Sequence, residues 1–348
     1  MFDAKDGILG GAERYAWELA RIMSSRAEVT LLSFGVRDRT FREDQLSVRI
    51  IGRPWNVRGS RFNPMSLRVL PEVARNDIIH CHQRFVLVTQ LLAAAGRALG
   101  RPVYVTDLGG GGWNLSGRLP IDRCFRGFLH ISEYSLQISN QQDDPRARVI
   151  FSGVDTSRFT PDPSVSKTGG LLYVGRLLPH KGIDRVLVAL PPDIPMDIVG
   201  RPYHPEYRAL LGELARGKRV IFHEDFDDRR LLESYRRARA VVLGSLYRDH
   251  YGHETRIPEL MGQALLEGMS CGLPAICTNV AAMPESVVDG ITGFVVPPDD
   301  LEAMRRAIVT LCTDDALAAR MGAAARARML AHFTWEAVVE RCLEAYRS

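Results

Sequence analysis

The sequence predicts two α/β domains, each built on a doubly wound parallel sheet. Short runs of β-branched and apolar residues alternate with helix-period segments through the 348 residues. Such alternation implies parallel strands joined by crossover helices. The pattern stops at a polar, proline-bearing stretch, residues 155–170, and then restarts. A chain of this length also exceeds what one hydrophobic core comfortably organises, so we expect two domains with a linker at 155–170.

The expected elements follow in order along the chain. In the first half we predict helices at 12–23 and 86–99 and strands at 29–34, 48–51, 77–80, 103–106 and 128–131. In the second half we predict strands at 171–174, 196–199, 220–222, 240–243, 274–277 and 294–296. These runs are short and bounded by turn residues, as buried parallel strands are.

The start of the chain does not fit a complete domain of this class. Helix 12–23 should follow a buried central strand, yet only about ten polar or flexible residues precede it. Asp3, Lys5, Asp6 and Gly7 are poor material for such a strand. We therefore expect the native protein to extend upstream of Met1 by a short hydrophobic strand.

Composition narrows the class of protein. Apolar residues make up 46% and charged residues 25% of the chain, as in ordinary globular proteins. No apolar run approaches the roughly 20 residues of a membrane helix, and no basic segment leads into an apolar one at the N-terminus. Six cysteines are scattered without a CxxC pair. We expect reduced thiols in a cytoplasmic protein rather than a disulfide framework or a zinc site.

Charge is unevenly distributed. Residues 1–160 carry 22 Lys and Arg against 16 Asp and Glu, whereas residues 161–348 carry 23 against 25. A basic first half could meet anionic lipid headgroups, an anionic acceptor or nucleic acid. The surplus could equally reflect arginine usage, since 41 of the 45 basic residues are arginine.

Two acids eight residues apart, Glu259 and Glu267, form the first candidate site. On one continuous helix they would lie about 80° apart in azimuth and about 12 Å apart along the axis. A nucleotide-sugar is of similar length, so one acid could hold each end while the helix N-terminus faces the phosphates. Gly262 between them would allow close backbone approach. The alternative is a solvated helix with two surface glutamates.

A loop from Gly175 to Gly182 directly follows the predicted strand at 171–174 and forms the second candidate site. Loops at the carboxyl ends of parallel strands are where doubly wound sheets bind ligands. Arg176 can contact two phosphate oxygens at once, and Lys181 supplies a mobile positive charge. The alternative is an ordinary turn with solvated cations.

Glycines mark two further loops, at Gly10-Gly11 before helix 12–23 and at 109–112 after strand 103–106. Glycine permits a phosphate or sugar to approach free backbone N–H groups, although either segment could be an ordinary turn or flexible loop. His80 and His82 end another strand and could line a ligand site or be buried histidines. No Ser-His-Asp order, P-loop or metal-ligand cluster appears.

Taken together, these segments resemble glycosyltransferase family 4, whose members are retaining, usually metal-independent enzymes with the GT-B fold. The matching stretches are GGAERYAWELA (10–20), DIIHCH (77–82), FSGVDTSRFTPD (151–162), LLYVGRLLPHKGID (171–184), ELMGQALLEGMSCGLPAICTNVAAMPESVVDGITGFVVPPDD (259–300) and HFTWEAVVERCLEAY (332–346). They span nearly the whole chain in the family's order.

The resemblance implies a GT-B fold of two Rossmann-like domains facing across a cleft. Residues 1–158 would be the acceptor-side domain, 166–330 the donor-nucleotide domain, and 332–348 a terminal helix crossing back to the first domain. The implied reaction moves a sugar from a UDP- or GDP-type donor to a hydroxyl with retention, in cell-surface glycan or glycolipid synthesis. The nucleotide-sugar is a co-substrate, and no cofactor, metal or nucleic acid is implied.

The resemblance also assigns residues. Arg176 and Lys181 would hold the donor diphosphate, Glu259 would bind the donor sugar at the reacting centre, and Glu267 would bind ribose hydroxyls. The other donor-binding residues are Gly10, Gly11, Gly175, Val220, Ile221, Phe222, His223, Gly262, Gln263, Ala264 and Leu266. The acceptor side is assigned to His82, Asp107, Gly109 and Gly110. The partners are a glycan or lipid-linked acceptor and an anionic membrane surface. The membrane contact is predicted from the basic first half and from the arginine-bearing loop at residues 58–62.

This chain departs from the family pattern in two places. Many members read Thr-x-His-Gly where this chain has Thr106-Asp107-Leu108-Gly109, and the stretch 247–256 is longer than the common form. A non-catalytic nucleotide-sugar binder is therefore the main alternative. A nicotinamide-dependent oxidoreductase would need G-x-G-x-x-G after a first strand, and the spacing of Gly175 and Gly182 differs.

Overall fold

The computed structural model describes residues 11–109 and 111–348. They form two compact units. The first combines the described residues through Gly153 with Trp335–Ser348, and the second is Val154–Thr334. The strand expected to precede helix 12–23 lies outside the described residues, as do Gly10 and Gly110.

The described strands of the first unit form two main sheets and one small hairpin. The strands are β1 Thr30–Gly35, β2 Arg39–Glu43, β3 Leu46–Gly52, β4 Trp55–Asn56, β5 Pro64–Met65, β6 Ile79–His82, β7 Val103–Thr106, β8 Gly127–His130 and β9 Ala147–Val149. The helices are α1 Gly11–Met23, α2 Pro71–Arg75, α3 Leu87–Leu99 and α4 Glu133–Ile138. One sheet has the order β1-β3-β2, the other the order β6-β7-β8-β9, and β4 pairs with β5.

Within these sheets, β1 and β3 are parallel, β2 runs antiparallel to β3, and β6 to β9 are all parallel. The sequence prediction missed β2 because its residues are polar and largely exposed. It also placed the strand of DIIHCH two residues early. Both His80 and His82 lie within β6, on the same face, with ring centroids 4.6 Å apart.

The second unit is a single parallel sheet of six described strands in the order β12-β11-β10-β13-β14-β15. The strands are β10 Leu171–Val174, β11 Met196–Val199, β12 Val220–His223, β13 Ala240–Leu243, β14 Ala275–Thr278 and β15 Gly293–Val296. The helices are α5 Ile183–Ala189, α6 Pro205–Leu214, α7 Asp228–Arg237, α8 Gln263–Ser270, α9 Met283–Ser286, α10 Leu301–Thr313 and α11 Asp315–His332. All six predicted strands are present, and the strand order reverses between β10 and β13, where doubly wound sheets bind ligands.

The stretch expected to be a linker is bound to the second unit. Phe159 is only 4% exposed. Arg326 of α11 donates to the carbonyl oxygens of Phe159 at 2.7 Å and Thr156 at 3.0 Å. The hydroxyl of Ser270, on α8, donates to the same Phe159 carbonyl at 2.7 Å. These hydrogen bonds make residues 155–160 part of the second unit's packing.

The last helix, α12 Trp335–Arg347, belongs to the first unit. It packs against α1, with the rings of Trp335 and Tyr15 5.2 Å apart. The hydroxyl of Tyr346 lies 2.7 Å from Nδ1 of His80. Burial lowers the pKa of His80 well below its usual value, so α12 is docked against a neutral imidazole.

The remaining sequence expectations concern cysteines and membranes. All six cysteines are free thiols, and burial raises the pKa of Cys81 to about 12. Among the described residues, no helix is both long enough and apolar enough to cross a bilayer.

Candidate functional site

The loop after β10 is built on a buried tyrosine. Tyr173 is completely buried, and its hydroxyl donates to the carbonyl oxygen of Arg176 at 3.0 Å. The N–H of Gly175 donates to the carbonyl oxygen of Val199 at 3.0 Å, continuing the β10–β11 pairing past the strand end. The loop therefore leaves the central strand along a fixed path.

The loop then forms one 3₁₀ turn, Pro179–Lys181, and enters α5 through Gly182. Gly182 has φ +62°, and a Cβ atom built there would lie 1.9 Å from the carbonyl oxygen of Gly244. Only glycine fits this contact between the loop and the carboxyl end of β13. The turn holds Lys181 at the point where the sheet reverses its strand order.

Lys181 and Glu259 meet at this point. The ammonium Nζ forms a salt bridge with Oε1 of Glu259 and also donates to the carbonyl oxygen of Pro258 at 3.3 Å. The two side chains are only 12% and 14% exposed. A cation and an anion with so little access to water interact more strongly than a surface pair. The structure thus joins the glycine-bounded loop to the acidic segment before α8.

The expected continuous helix carrying both Glu259 and Glu267 is wrong. Helix α8 begins at Gln263, and its N-terminal cap is Gly262 with φ +74°. A left-handed residue ends helical geometry, so Glu259 lies in the preceding loop and the azimuth calculated for one helix does not apply. The loop gives Glu259 its position beside Lys181.

The alternative of a solvated helix with surface glutamates does not hold for Glu267 on α8. Glu267 is 7% exposed, and its Oε2 accepts a hydrogen bond from the hydroxyl of the fully buried Tyr235 at 2.8 Å. Leu266 is 0% exposed. Helix α8 is covered by β13 and by α11, so both of its sides are packed and Glu267 is a buried, hydrogen-bonded carboxylate.

The other predicted donor residues on α8 lie in its first turn. Gln263 is exposed and Ala264 is partly exposed. The first turn of a helix carries the positive end of the helix dipole. Leu266 is buried, and its N–H donates to the carbonyl oxygen of Gly262 at 3.4 Å.

Arg176 lies on the exposed side of the same loop. Its guanidinium carbon is 5.8 Å from the ring centroid of Tyr203, which is itself 58% exposed. Arg176 is therefore accessible to a ligand, whereas Lys181 is engaged with Glu259.

The predicted base-lining stretch, Val220 to His223, is the edge strand β12. Ile221 is 59% exposed, and Arg208 stacks over the ring of Phe222 at 3.8 Å. One ring nitrogen of His223 lies 2.7 Å from Oδ1 of Asp197 on β11. The strand offers one exposed aliphatic side chain and a row of partly buried groups.

Beside Lys181, the stretch 247–256 forms an ordered loop. Asp249 accepts hydrogen bonds from the N–H groups of Tyr251 and His253 at 2.9 and 3.0 Å. The N–H of Leu246 donates to the carbonyl of His180 at 2.8 Å. Burial, followed by the charge of Lys181, lowers the pKa of His180 to about 4, so this imidazole is neutral at pH 7. Among the described residues, no group of three or more His, Cys, Asp or Glu could hold a metal ion.

The acceptor-side residues lie in the first unit. His82 ends β6, Asp107 follows β7, and Gly109 begins the glycine loop with φ +79°. Burial lowers the pKa of His82 to about 4 and raises that of Asp107. Gly11, the first residue of α1, has open space around its Cα.

Three buried polar atoms in this region make no hydrogen bond with any described residue. They are Nδ1 of His82, Oε1 of Gln83 and Oδ1 of Asp107. Buried polar atoms left without a partner are costly, and such atoms are normally satisfied by water or a ligand. The carboxyl ends of β6 and β7 therefore offer both donors and acceptors suited to hydroxyl groups.

Sequence reasoning missed Tyr173, Tyr235 and Gln83. Tyr235 lies 32 positions before its partner Glu267, and no local spacing connects them. Gln83 adopts φ +88°, which non-glycine residues rarely do. The one sequence signal for Gln83 is its position directly after the strand of the DIIHCH segment.

Comparisons with known proteins agree with this arrangement. The family model described as "Glycosyltransferase Family 4" matches residues 9–158, and the model described as "Glycosyl transferases group 1" matches residues 160–328. Together the two models cover most of the chain.

Among curated proteins, the chain is 31% identical over 209 residues to glycogen synthase of Mycobacterium tuberculosis, covering 57% of this chain and 47% of that protein. It is 32% identical over 200 residues to the GDP-mannose-dependent alpha-(1-6)-phosphatidylinositol monomannoside mannosyltransferase of Mycolicibacterium smegmatis, covering 53% and 51%. The chain therefore spans about half the length of these relatives.

Among solved structures, Anabaena HepE in complex with UDP and glucose superposes with a TM-score of 0.71 at 19% identity. The match covers 99% of this chain and 98% of that chain, and it shows a shared fold. Each of the two α/β units contains parallel strands, and the two family models match the units in order. Together with the shared fold, this confirms the GT-B fold class, and the chain belongs to glycosyltransferase family 4.

Proposed function

We propose that the protein transfers a sugar from a UDP- or GDP-type donor to a hydroxyl group, with retention of anomeric configuration, in the synthesis of a cell-surface glycan or glycolipid. The observation that carries this proposal is the mostly buried Lys181–Glu259 pair at the strand-order reversal of the second unit, in the segment that leads into the first turn of α8. Cations and helix N-termini favour a diphosphate, and an adjacent carboxylate favours sugar hydroxyls.

The roles follow from these positions. Arg176 and Lys181 would compensate the charge that develops on the departing nucleoside diphosphate as the bond to the anomeric carbon breaks. The proton of the acceptor hydroxyl would pass to the diphosphate oxygen that leaves the anomeric carbon, as the new glycosidic bond forms. Glu259, freed from part of its contact with Lys181, would hold the donor sugar. Glu267, oriented by Tyr235, would accept hydrogen bonds from the ribose.

The proposed acceptor side is the group of unsatisfied polar atoms on His82, Gln83 and Asp107. Asp107 directly precedes the leucine that replaces the histidine of many family members, and its carboxylate could take over a hydrogen bond to a hydroxyl. A lipid-linked acceptor is suggested by the relative that acts on a phosphatidylinositol mannoside. The cytoplasmic location stays a prediction.

A donor screen tests the proposal. Purified protein is heated with UDP, GDP and their common hexose conjugates, and one nucleotide class should raise the melting temperature, because a ligand that binds only the folded state stabilises it. Release of nucleoside diphosphate from the matching sugar should continue in excess EDTA. Loss of release in EDTA would contradict metal independence, and no shift with any nucleotide would contradict the donor site.

The second candidate function is nucleotide-sugar binding without transfer. The observation that favours binding without transfer is Leu108, which stands where many family members have histidine. Thermal stabilisation by a nucleotide-sugar without detectable release of nucleoside diphosphate, with or without acceptor extracts, would support this candidate over transfer.

A further inference from the structure

The segment between β3 and α2 forms a small, well-defined hairpin, residues 53–68, which we call the arginine hairpin. Its strands β4 and β5 are antiparallel, with Trp55 opposite Met65. The N–H of Val57 donates to the carbonyl of Asn63 at 3.0 Å, which closes the turn. Each arm of a 16-residue hairpin extends at most about 27 Å, so its exposed side chains can reach one surface together.

The arginine hairpin carries the most exposed large apolar side chains of the described residues. Phe62 is 85% exposed, and Trp55 and Leu67 are each 65% exposed. Single exposed apolar residues are common, but several on one short element indicate an interaction site. Two of the three are aromatic, which is typical of side chains that lie at a membrane–water boundary.

The charged residues of the arginine hairpin and its flanks are all positive. From Gln45 to Pro71 the chain has five arginines and no aspartate or glutamate. Arg53 and Arg61 are exposed and form no ion pair with any described residue, whereas Arg68 pairs with Asp38 at 3.0 Å. Exposed arginines around aromatic side chains complement the phosphates of an anionic lipid layer.

Asn63 fixes the arginine hairpin to the proposed acceptor side. Its side chain is fully buried, donates to the carbonyl of Trp113 at 2.7 Å and accepts from the N–H of Leu87 at 3.1 Å. The guanidinium of Arg58 stacks over the ring of Trp113 at 5.1 Å. Trp113 ends the glycine loop that follows Asp107, so the hairpin and the acceptor-side residues belong to one connected structure within the first unit.

We propose that the arginine hairpin binds an anionic phospholipid surface, with Phe62, Trp55 and Leu67 among the lipid headgroups and Arg53 and Arg61 against their phosphates. A lipid-linked acceptor in that surface would then meet His82 and Asp107 without leaving the bilayer. The link to the acceptor rests on the proposed function, but the membrane contact itself does not require transfer.

The test is co-sedimentation with vesicles of phosphatidylcholine alone and of an equal mixture with phosphatidylglycerol, at low and high salt. Wild-type protein should bind the anionic vesicles and be released by salt, because screening weakens the contact of arginine with phosphate. F62S should lower the partition coefficient about tenfold, and R53Q/R61Q should lower it about fivefold per arginine.

Matched controls use the same substitutions elsewhere in the first unit. L99S removes another apolar side chain, which is 57% exposed, and R97Q removes another exposed arginine on α3. Both should bind vesicles within about twofold of wild type. Trp55 emission should shift to the blue on addition of anionic vesicles, and the shift should disappear in W55F.

Three results would overturn the proposal: equal binding to both vesicle types at low salt, no vesicle binding at all, or wild-type binding by F62S. Loss of binding to a soluble bacterial polysaccharide in F62S, with vesicle binding unchanged, would assign the hairpin to a glycan instead. Thermal shifts with nucleotide-sugars are measured on the same variants. Vesicle binding without any nucleotide binding would defeat the proposed function and leave the membrane contact standing.

Discussion

At the scale of single residues, Lys181 and Glu259 neutralise each other where little water reaches them, with 12% and 14% of their side chains exposed. Arg176 on the same loop is exposed. Removing one member of an enclosed pair leaves the other charge unpaired, whereas removing an exposed cation does not. The two cations should therefore respond differently to substitution.

We expect Arg176→Ala to lower kcat/KM by about 10- to 100-fold with an unchanged melting temperature, because it removes a charge-assisted phosphate contact only. Lys181→Ala should lower kcat/KM similarly and also destabilise the fold by about 2 kcal/mol. The double variant Lys181→Ala with Glu259→Gln should regain stability without regaining turnover. Steady-state kinetics and urea unfolding measure these effects, and near-normal kinetics in both single variants would remove the diphosphate assignment.

The two glutamates should separate in their kinetic effects. Glu267→Gln should mainly raise KM for the donor, since its carboxylate is assigned to the ribose, whereas Glu259→Gln should mainly lower kcat. Tyr235→Phe removes the 2.8 Å hydrogen bond that orients Glu267, and it should raise KM less than Glu267→Gln does. Equal losses of stability in both glutamate variants, with no ligand-specific change, would instead indicate a structural role for each.

The sequence predicts the charged residues of the candidate site but not their surroundings. The charged residues of the candidate site could be found because they stand in motifs with a chemical reason for their type and spacing. The burial and the hydrogen-bond partners of these residues could not be found in this way. The burial of Glu267 depends on Tyr235, and the pairing of Glu259 depends on a left-handed glycine, neither of which a local pattern contains.

At the scale of elements, the loop from β10 into α5 depends on backbone contact. Gly182→Ala should destabilise the second unit strongly, because the new Cβ would lie 1.9 Å from the carbonyl oxygen of Gly244 in addition to the cost of φ +62°. Gly217→Ala is the matched control, since it has φ +72° and open space around it. It should cost only about 1–2 kcal/mol. Similar unfolding midpoints in urea for the two variants would show that the contact relaxes easily.

Elements differ in how well the sequence predicts them. The buried parallel strands were predicted within about two residues because continuous apolar runs bounded by turns are specific to them. Strand β2 was missed, and residues 58–62 were recognised only as an arginine-bearing loop and not as part of a hairpin, because both pairings are antiparallel, short and largely exposed. Helix α8 was extended four residues too far, since Gly262 ends it through its conformation rather than through a change in hydrophobic pattern.

At the scale of the whole molecule, the two units should respond differently to acid. In the first unit, burial lowers the pKa of His82 and His130 to about 4 and that of His80 well below its usual value, whereas in the second unit it lowers the pKa of His180 to about 4. The first unit therefore has three strongly shifted histidines against His180 in the second. The unfolded chain binds protons near pH 6.5, so the stability from these neutral histidines is present above that pH and is lost as pH falls toward 4. The raised pKa of Asp107 acts in the opposite direction.

Each fully shifted histidine adds up to about 1.4 kcal/mol per pH unit to this loss. The four tryptophans, at 17, 55, 113 and 335, all lie in the first unit, so their fluorescence reports on that unit alone. We expect the urea midpoint of the fluorescence transition to fall between pH 7 and 4.5. It should fall more steeply than the midpoint of the circular dichroism transition that comes from the second unit. His82→Gln should flatten the dependence. A fluorescence midpoint independent of pH would show that these histidines titrate normally.

The return of α12 to the first unit also affects the order in which the molecule can fold as it is synthesised. The ends of the second unit, Val154 and Thr334, are bridged to each other, so that unit has all its contacts as soon as residue 334 has emerged from the ribosome. The first unit begins earlier in the chain but must wait for Trp335–Arg347 to cover Tyr15 and His80. Domains usually fold in the order of synthesis, whereas here the later unit can finish first while the earlier one still exposes the surface that α12 covers.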